Sequence, residues 1–161
     1  MDGSPDPRPV PWLSPEDEEV WRSFVALSHG MDHAVDRQLQ RDSELSRSEY
    51  EILVPLSESG TGELTSRELL RVLGWERSRL SHMLSRMERR GMIRRAPVPR
   101  DARGLLVAIT EHGRETTGRA APGHLFTVRE AFVDRLDEGE KAALLSIARK
   151  VLPHLETMEP G

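Results

Sequence analysis

The chain has 161 residues, a formal net charge of −4 and no cysteine. Without cysteine it can form no disulfide, no thiolate-ligated zinc site and no thiol redox sensor. Its longest apolar run is the five residues Leu105–Ile109, far shorter than the roughly 20 residues of a membrane-spanning helix. We therefore expect one domain that is large enough to bury a core, in a cytoplasmic protein with no membrane partner.

The first 13 residues carry a proline at every second position from Pro5 to Pro11, which predicts an extended, flexible arm over 1–13. A first helix is predicted over 15–42, because Ser14 offers an N-cap hydroxyl and Pro15 suits the first helical position. Glu16 and Asp17 then favour the positive end of the helix dipole. A single domain is expected to extend from here to residue 157.

Capping patterns also predict the starts of later helices. Ser46 with Glu49 and Thr65 with Glu68 match the capping box, and an aspartate cap precedes the last helix. The predicted helices after the first are 47–58, 66–73, 77–90, 111 to about 135, and 138–155. Pro122 removes a backbone donor inside the fifth helix, so we expect a kink or break near residues 118–121.

Between Arg77 and Arg103 the chain becomes strongly basic, with nine arginines, two acids and a balance of +7. The remainder of the chain sums to −11. This segregation of charge favours a polyanion as the partner of the basic segment. A solvated arginine-rich surface is the alternative, because 21 of the 23 basic residues are arginine.

The helix predicted over 77–90 has two chemically different faces. Leu80, Met83, Leu84 and Met87 fall in one narrow sector of the helical wheel, which predicts the core-facing side. The other side carries hydroxyls, an imidazole and guanidinium groups but no carboxylate, and such groups suit base edges and phosphates. Together with the short helix predicted over 66–73, this helix forms a predicted helix-turn-helix. It would be the second helix of that motif, which reads the DNA bases. The candidate DNA-contacting residues are Arg77, Ser78, Arg79, Ser81, His82, Ser85, Arg86 and Arg89.

After Gly91 the pattern changes from helical to strand-like. Apolar stretches at 93–97 and 105–109 flank a turn-forming stretch at 98–104, which predicts a β-hairpin, the wing of a winged helix-turn-helix. Near its tip, Arg100 and Arg103 are candidates for insertion into a narrow minor groove. Asp101 either pairs with a nearby arginine and fixes its direction, or is a simple turn residue.

The stretch from Asp101 to Gly113, DARGLLVAITEHG, resembles the wing signature D-x-R-x-x-x-V-x-L-T-x-x-G of the MarR (multiple antibiotic resistance regulator) family. Its one departure is Ile109 in place of leucine. Residues 81–95 are similar to that family's recognition helix and first wing strand, and the helix order agrees from about 15 to 155. The resemblance implies a homodimeric winged-helix transcription factor, usually a repressor, that is often released from DNA by a small, frequently aromatic ligand.

Both ends of the domain are apolar, which agrees with a dimer formed through the first and last helices. We expect 14–45 and 111–157 to be dimerisation helices around a DNA-binding lobe at 46–110, since paired half-sites also require two-fold symmetry. The alternative is that the terminal helices pack on each other within one subunit. The apolar residues are Trp12, Leu13, Val20, Trp21, Phe24, Leu27 and Met31 at one end, and Leu144, Leu145, Ile147, Ala148, Val151, Leu152 and Leu155 at the other.

Two further groups of residues could bind small ligands. His29 and His33 have the i,i+4 spacing of metal ligands, but no third ligand is specified, so neither a metal site nor a cofactor is predicted. An aromatic set could line a pocket where the first two helices meet the DNA-binding lobe, although core packing or dimer contact would also explain it. The candidate pocket residues are Trp21, Phe24, Asp32 and Tyr50.

The sequence thus predicts a mainly α protein with a small β-hairpin wing, a winged helix-turn-helix flanked by dimerisation helices. We expect a regulator that binds specific double-stranded DNA as a homodimer on an inverted repeat and responds to a small aromatic effector. A winged-helix module that binds a protein partner is the alternative. An enzyme is not expected, because the chain shows no nucleophile–base set and no phosphate-binding loop.

Overall fold

The computed structural model describes residues 12–98 and 101–158, without the side chains at 101–103 and 156. Most of the predicted N-terminal arm, residues 1–11, therefore lies outside the described residues. The predicted fold class, mainly α with a small β wing, is confirmed. In chain order the elements are α1 (Pro15–Ser43), α2 (Arg47–Glu58), β1 (Glu63–Thr65), α3 (Ser66–Leu73), α4 (Arg77–Arg89), β2 (Ile93–Val98), β3 (Asp101–Ile109), α5 (Glu111–Ala131), a 3-10 helix (Val133–Arg135) and α6 (Glu138–Thr157).

Every described α-helix except α4 begins at a residue whose side chain caps it. At the start of α1 the hydroxyl of Ser14 accepts a hydrogen bond of 3.1 Å from the amide of Asp17. Complete capping boxes form at three later starts: Ser46 with Glu49, Thr65 with Glu68, and Asp137 with Glu140. These bonds satisfy amides that have no acceptor within the helix, which explains why local sequence located the starts so closely.

The strands form an antiparallel sheet in the order β1-β3-β2. The sequence pattern does not predict β1, because three residues are too few to show alternation. In the wing, β2 extends to Val98 and β3 begins at Asp101, and these two residues pair. The predicted turn over 98–104 is therefore too long, because Val98 and Asp101 still pair beyond an irregularity in the register between Pro97 and Val98.

The core lies where α2, α3 and α4 pack against the sheet and the second half of α1. Leu39 of α1, Leu53 of α2, Leu69 of α3 and Val107 of β3 are all fully buried within it. This packing fixes the lobe that carries α4 and the wing. It also leaves the first half of α1 outside the core.

Of the kink or break predicted at residues 118–121, the break is wrong, because α5 is continuous through Pro122 and ends at Ala131. Gly118 is exposed, so water can bond the carbonyl that Pro122 leaves without a helical donor. Close packing on α1 also supports the helix here. A Cβ at Gly123 would lie only 2.5 Å from Oδ2 of Asp42 and 2.7 Å from Nε2 of Gln38.

Apolar side chains of the first half of α1 and of α6 lie on the surface. Trp21 and Phe24 are 56% and 62% exposed, and Ile147 and Leu152 are each 57% exposed. No described residue of α6 is buried, and α6 does not pack along α1 of its own chain within the described ranges. The two terminal helices therefore do not cover each other within one subunit.

Among residues 12–98 and 101–158, no helix is both long enough and apolar enough to cross a membrane.

Candidate nucleic-acid interface

Helix α4 has the two faces that its sequence predicts. Leu80, Leu84 and Met87 are buried and Met83 is partly buried, so the predicted core stripe is confirmed. The opposite side of the helix faces solvent, although Ser85 is half-buried. The exposed members of the predicted DNA-contacting set are Arg77, Ser78, Arg79, Ser81, His82, Arg86 and Arg89.

Arg95 of β2 binds the wing to α4. Its Nε and Nη2 donate to Oε2 of Glu88 at 2.9 and 2.5 Å, and its Nη1 donates to the hydroxyl of Ser85 at 3.1 Å. The hydrogen bond from the Arg95 side chain is the main reason why the pKa of Glu88 is lowered. Arg95 belongs to the basic segment, but its guanidinium is therefore engaged by Glu88 and Ser85 of the same chain. The Ser85 hydroxyl, which the sequence assigned to DNA, is engaged by the same contact.

A second internal link joins α4 to the start of α2 through the buried carboxylate of Glu49. Its Oε1 accepts from Nη1 of Arg90 at 2.6 Å, and its Oε2 accepts from the amide of Ser46 at 2.9 Å. Burial raises the pKa of Glu49, but hydrogen bonds from the Ser46 amide, the Arg90 guanidinium and the Ser46 hydroxyl outweigh it, so the net pKa is lowered. The carboxylate therefore stays charged at neutral pH.

Two of the predicted base-reading arginines lie on the flank of α4 that faces α2. The guanidinium of Arg79 stacks on the ring of Trp75 at 3.8 Å and donates to the hydroxyl of Ser48 at 3.3 Å. Nε of Arg86 lies 3.5 Å from Oε1 of Glu49. Both side chains therefore contact other residues of the protein and still remain exposed.

The predicted wing contacts fall largely outside the described residues. Arg100 is not described, and neither are the side chains of Asp101 and Arg103. Whether Asp101 pairs with Arg103 therefore stays a prediction. The backbone at Asp101 lies at the end of the hairpin, where it pairs with Val98 at the end of β2.

Known proteins are similar to this chain in both sequence and structure. A model described as "MarR family" matches residues 43–104. Over 94% of this chain and 96% of the other, the structure is similar to Sco3205 from Streptomyces coelicolor, a MarR family transcriptional regulator solved in complex with DNA, with 39% identity and a TM-score of 0.87. This chain belongs to the MarR family.

Two further relatives support the membership. AbsC, a MarR family transcriptional regulator from Streptomyces coelicolor, is 33% identical over 92% of this chain and 100% of its own, with a TM-score of 0.87. The HTH-type transcriptional regulator PecS of Dickeya dadantii (strain 3937) is 27% identical over 90% of this chain and 87% of its own. Because these relatives are transcriptional regulators, the prediction that the chain is not an enzyme is confirmed.

The structure explains the threonine and glycine that end the MarR signature. The Thr110 hydroxyl lies 2.6 Å from the carbonyl oxygen of Gly91 and 2.9 Å from that of Met92, between which its one proton is shared, and it accepts from the amide of Gly113 at 3.0 Å. A Cβ at Gly113 would collide with the carbonyl of Met92. These two residues thus join the end of α4, the base of the wing and the start of α5.

Of the four predicted ligand-pocket residues in this MarR protein, the structure brings two together. Asp32 and Tyr50 line an open cleft of about 820 Å³ between α1, α2 and the α3–α4 turn. Trp21 and Phe24 do not line it: they lie on the exposed first half of α1, with their ring centroids 5.8 Å apart. Trp21 precedes Asp32 by eleven residues, which is about 16 Å along a helix.

The cleft also contains residues that the sequence did not assign to a ligand pocket. Trp75 and Arg79 form one side, and the ring of His124 lies 4.8 Å from that of Tyr50. Burial lowers the pKa of His124, which favours the neutral form of its ring. Arg47 also lines the cleft and forms an ion pair with Asp32. These residues come from segments that are distant in the chain, so no local pattern groups them into one pocket.

The paired histidines His29 and His33 are exposed on α1. Within the described parts of the chain, no group of three or more histidine, cysteine, aspartate or glutamate side chains is arranged to hold a metal ion.

Proposed function

We propose that this MarR protein is a sequence-specific repressor that binds an inverted repeat in double-stranded DNA as a homodimer. The observation that carries the proposal is the face of α4, where exposed arginine, serine and histidine side chains lie opposite the buried stripe with no carboxylate among them. The similar protein Sco3205, which was solved in complex with DNA, supports the same use of this lobe.

The dimer follows from the apolar surface at the two ends of the domain. Residues 14–45 and 111–157 would supply the dimerisation helices, and residues 46–110 the DNA-binding lobe. The exposed apolar side chains of α6 have no cover within the described chain, and a second copy related by a two-fold axis would bury them. Two-fold symmetry also presents two reading helices to successive major grooves, about 34 Å apart.

The wing residues complete the interface. Arg100 and Arg103 are the candidates for the minor groove beside the major groove that α4 enters, with Asp101 as the residue that directs them. Guanidinium groups are favoured there because a narrow minor groove concentrates negative potential.

The salt dependence of DNA binding tests this proposal. If about four arginines per subunit touch phosphates, a dimer contacts about eight, and log K should fall against log salt with a slope of about −7. Fluorescence anisotropy with a duplex selected from a random library, across a series of salt concentrations, measures the slope. Affinity that hardly changes with salt, or a failure to select any duplex, would favour a protein partner instead.

We further propose that a small aromatic acid bound in the cleft relieves DNA binding. Trp75 and Tyr50 offer aromatic surfaces and Arg79 a cation, and Arg79 also belongs to the reading helix. A ligand can release DNA only if it prefers a conformation in which the two reading helices are wrongly spaced.

Trp75 rather than Trp21 is the natural reporter of such a ligand, because Trp75 lines the cleft. A panel of phenolic and aromatic acids should change tryptophan fluorescence and weaken DNA binding with Kd values in about the micromolar-to-millimolar range. In Trp75→Phe the fluorescence response should disappear. No response of either signal to the panel would leave the protein a ligand-independent binder.

A further inference from the structure

We propose that Glu49 is a positioning residue for operator recognition: its buried carboxylate sets the position of α4 relative to α1 and α2. The inference rests on the proposed function, because it concerns how the reading helix is aimed at DNA. Glu49 lies in the first turn of α2 and its side chain is 0% exposed. A charged group is rarely this deeply buried unless other groups satisfy it.

Helix capping does not account for the burial of Glu49. Glu68 and Glu140 close equivalent capping boxes in α3 and α6, and neither residue is buried. Each accepts a hydrogen bond from the backbone amide of its cap residue, as Glu49 does from Ser46. Capping at Glu49 uses only the Oε2 oxygen. The other oxygen, Oε1, is directed to α4.

The contacts of Oε1 connect three helices. It accepts from Nη1 of Arg90 at 2.6 Å and lies 3.5 Å from Nε of Arg86. Nη2 of the same Arg90 donates at 3.0 Å to the carbonyl oxygen of Glu44, the C-cap of α1. One guanidinium thus joins the last turn of α4 to the end of α1 and the start of α2.

Such a link bears on recognition because base reading tolerates little displacement. A bidentate contact between an arginine and a guanine requires the helix in one position, whereas attraction to phosphates depends mainly on the number of positive charges. Loss of the Glu49 carboxylate should therefore reduce the affinity for the operator. It should not reduce the affinity for unrelated duplexes, since one negative charge is also removed.

The test compares Glu49→Gln with Glu68→Gln, which makes the same chemical change in the capping box of α3, without a contact to α4. The full-length proteins are titrated with an operator selected by the wild type and with a random duplex, at a temperature where circular dichroism shows each variant folded. We expect Glu49→Gln to lower the operator-to-random affinity ratio at least tenfold, and Glu68→Gln to leave it within twofold.

Arg90→Lys provides a second variant in case Glu49→Gln does not fold. It keeps the positive charge but cannot reach Glu49 and the Glu44 carbonyl together. It should lower the same ratio at least fivefold. An unchanged ratio in Glu49→Gln, or in Arg90→Lys where that variant stands in, would overturn the inference while the proposed function stands. A wild-type protein that selects no operator would overturn the proposed function and this inference with it.

Discussion

At the scale of single residues, the arginines of the basic segment divide into two kinds. Arg90 and Arg95 are bound by carboxylates of the protein and hold α4 and the wing in place. Arg79 and Arg86 lie on the exposed face of α4 with only partial engagement. Net charge counts all four alike, but only the second pair is exposed on the face of α4 that we propose contacts DNA.

The first prediction separates these roles by substitution. Arg79→Ala and Arg86→Ala should each weaken operator binding about tenfold and, where the arginine reads a guanine edge, relax base choice at that position. Arg103→Ala should lose affinity with less change in the preferred major-groove bases. Gel-shift titration on a set of duplexes with single base changes measures both effects.

Arg129→Ala is the matched control, because Arg129 lies near the far end of α5 and pairs with Asp134. It removes the same charge and should change operator affinity less than twofold. The orientation proposed for α4 and the wing is wrong if none of Arg79→Ala, Arg86→Ala and Arg103→Ala weakens operator binding tenfold.

The second prediction concerns acid stability. The pKa of Glu49 is lowered in the folded protein, because the donors from Ser46 and Arg90 outweigh the effect of burial. The unfolded chain then binds the proton more readily, so the carboxylate stabilises the fold above its ordinary pKa of about 4.3. That stabilisation is lost as the pH falls below this value. Urea unfolding from pH 6 to pH 3 should show a steeper loss for wild type than for Glu49→Gln, and parallel curves would contradict the prediction.

At the scale of elements, the packing of α5 depends on where its glycines stand. Gly113 meets the Met92 carbonyl and Gly123 meets side chains of α1, so a side chain at either position would collide. A Cβ at Gly118 would meet no other atom within 4 Å, and this residue is exposed. Packing thus excludes a side chain at Gly113, where the obstacle is backbone, disfavours one at Gly123, where two side-chain ends must shift, and leaves room for one at Gly118.

The third prediction follows from this difference within one helix. Gly118→Ala should stabilise the protein by up to about 1 kcal/mol, because alanine restricts the unfolded chain and favours the helix. Gly123→Ala should destabilise it, since its Cβ must displace Asp42 and Gln38 of α1. Thermal unfolding of the two variants measures the effects. A stabilising shift in both variants would show that Asp42 and Gln38 move aside at little cost, and a destabilising shift in both would contradict the prediction for Gly118.

At the scale of the whole molecule, the exposed apolar surface is concentrated at the ends of the chain. The first half of α1 and the described length of α6 contribute most of the large exposed apolar side chains. The winged-helix lobe buries its own core, while these helices extend from it without cover. This division favours a second copy of the chain as the cover of the exposed apolar surface on the terminal helices.

The fourth prediction tests the dimer. Ile147→Glu and Leu152→Glu should convert the protein to a monomer in sedimentation velocity, because each places a charge in the proposed interface. Val72→Glu is the matched control, since Val72 on α3 has the same 57% exposure as Ile147 and Leu152. That variant should remain a dimer. Equal sedimentation of all four proteins, whether monomeric or dimeric, would refute an interface through α6.

Local sequence alone determined where the helices begin, which side of α4 enters the core and where the basic segment lies. Ser46 and Thr65 cap their helices through residues three positions away, and Leu80, Leu84 and Met87 are spaced so that they share a face. Contacts of this kind lie within one or two turns of chain, so the residue order specifies them.

The tertiary structure decided which of these residues remain available for binding. Arg90 is engaged by Glu49, 41 positions away, and Trp75 lines the cleft in which Trp21 was expected. β1 exists only because β3 pairs with it, and α5 continues through Pro122 while it packs on α1. Each outcome depends on segments that are distant in the chain, and no local pattern contains the position of the other segment.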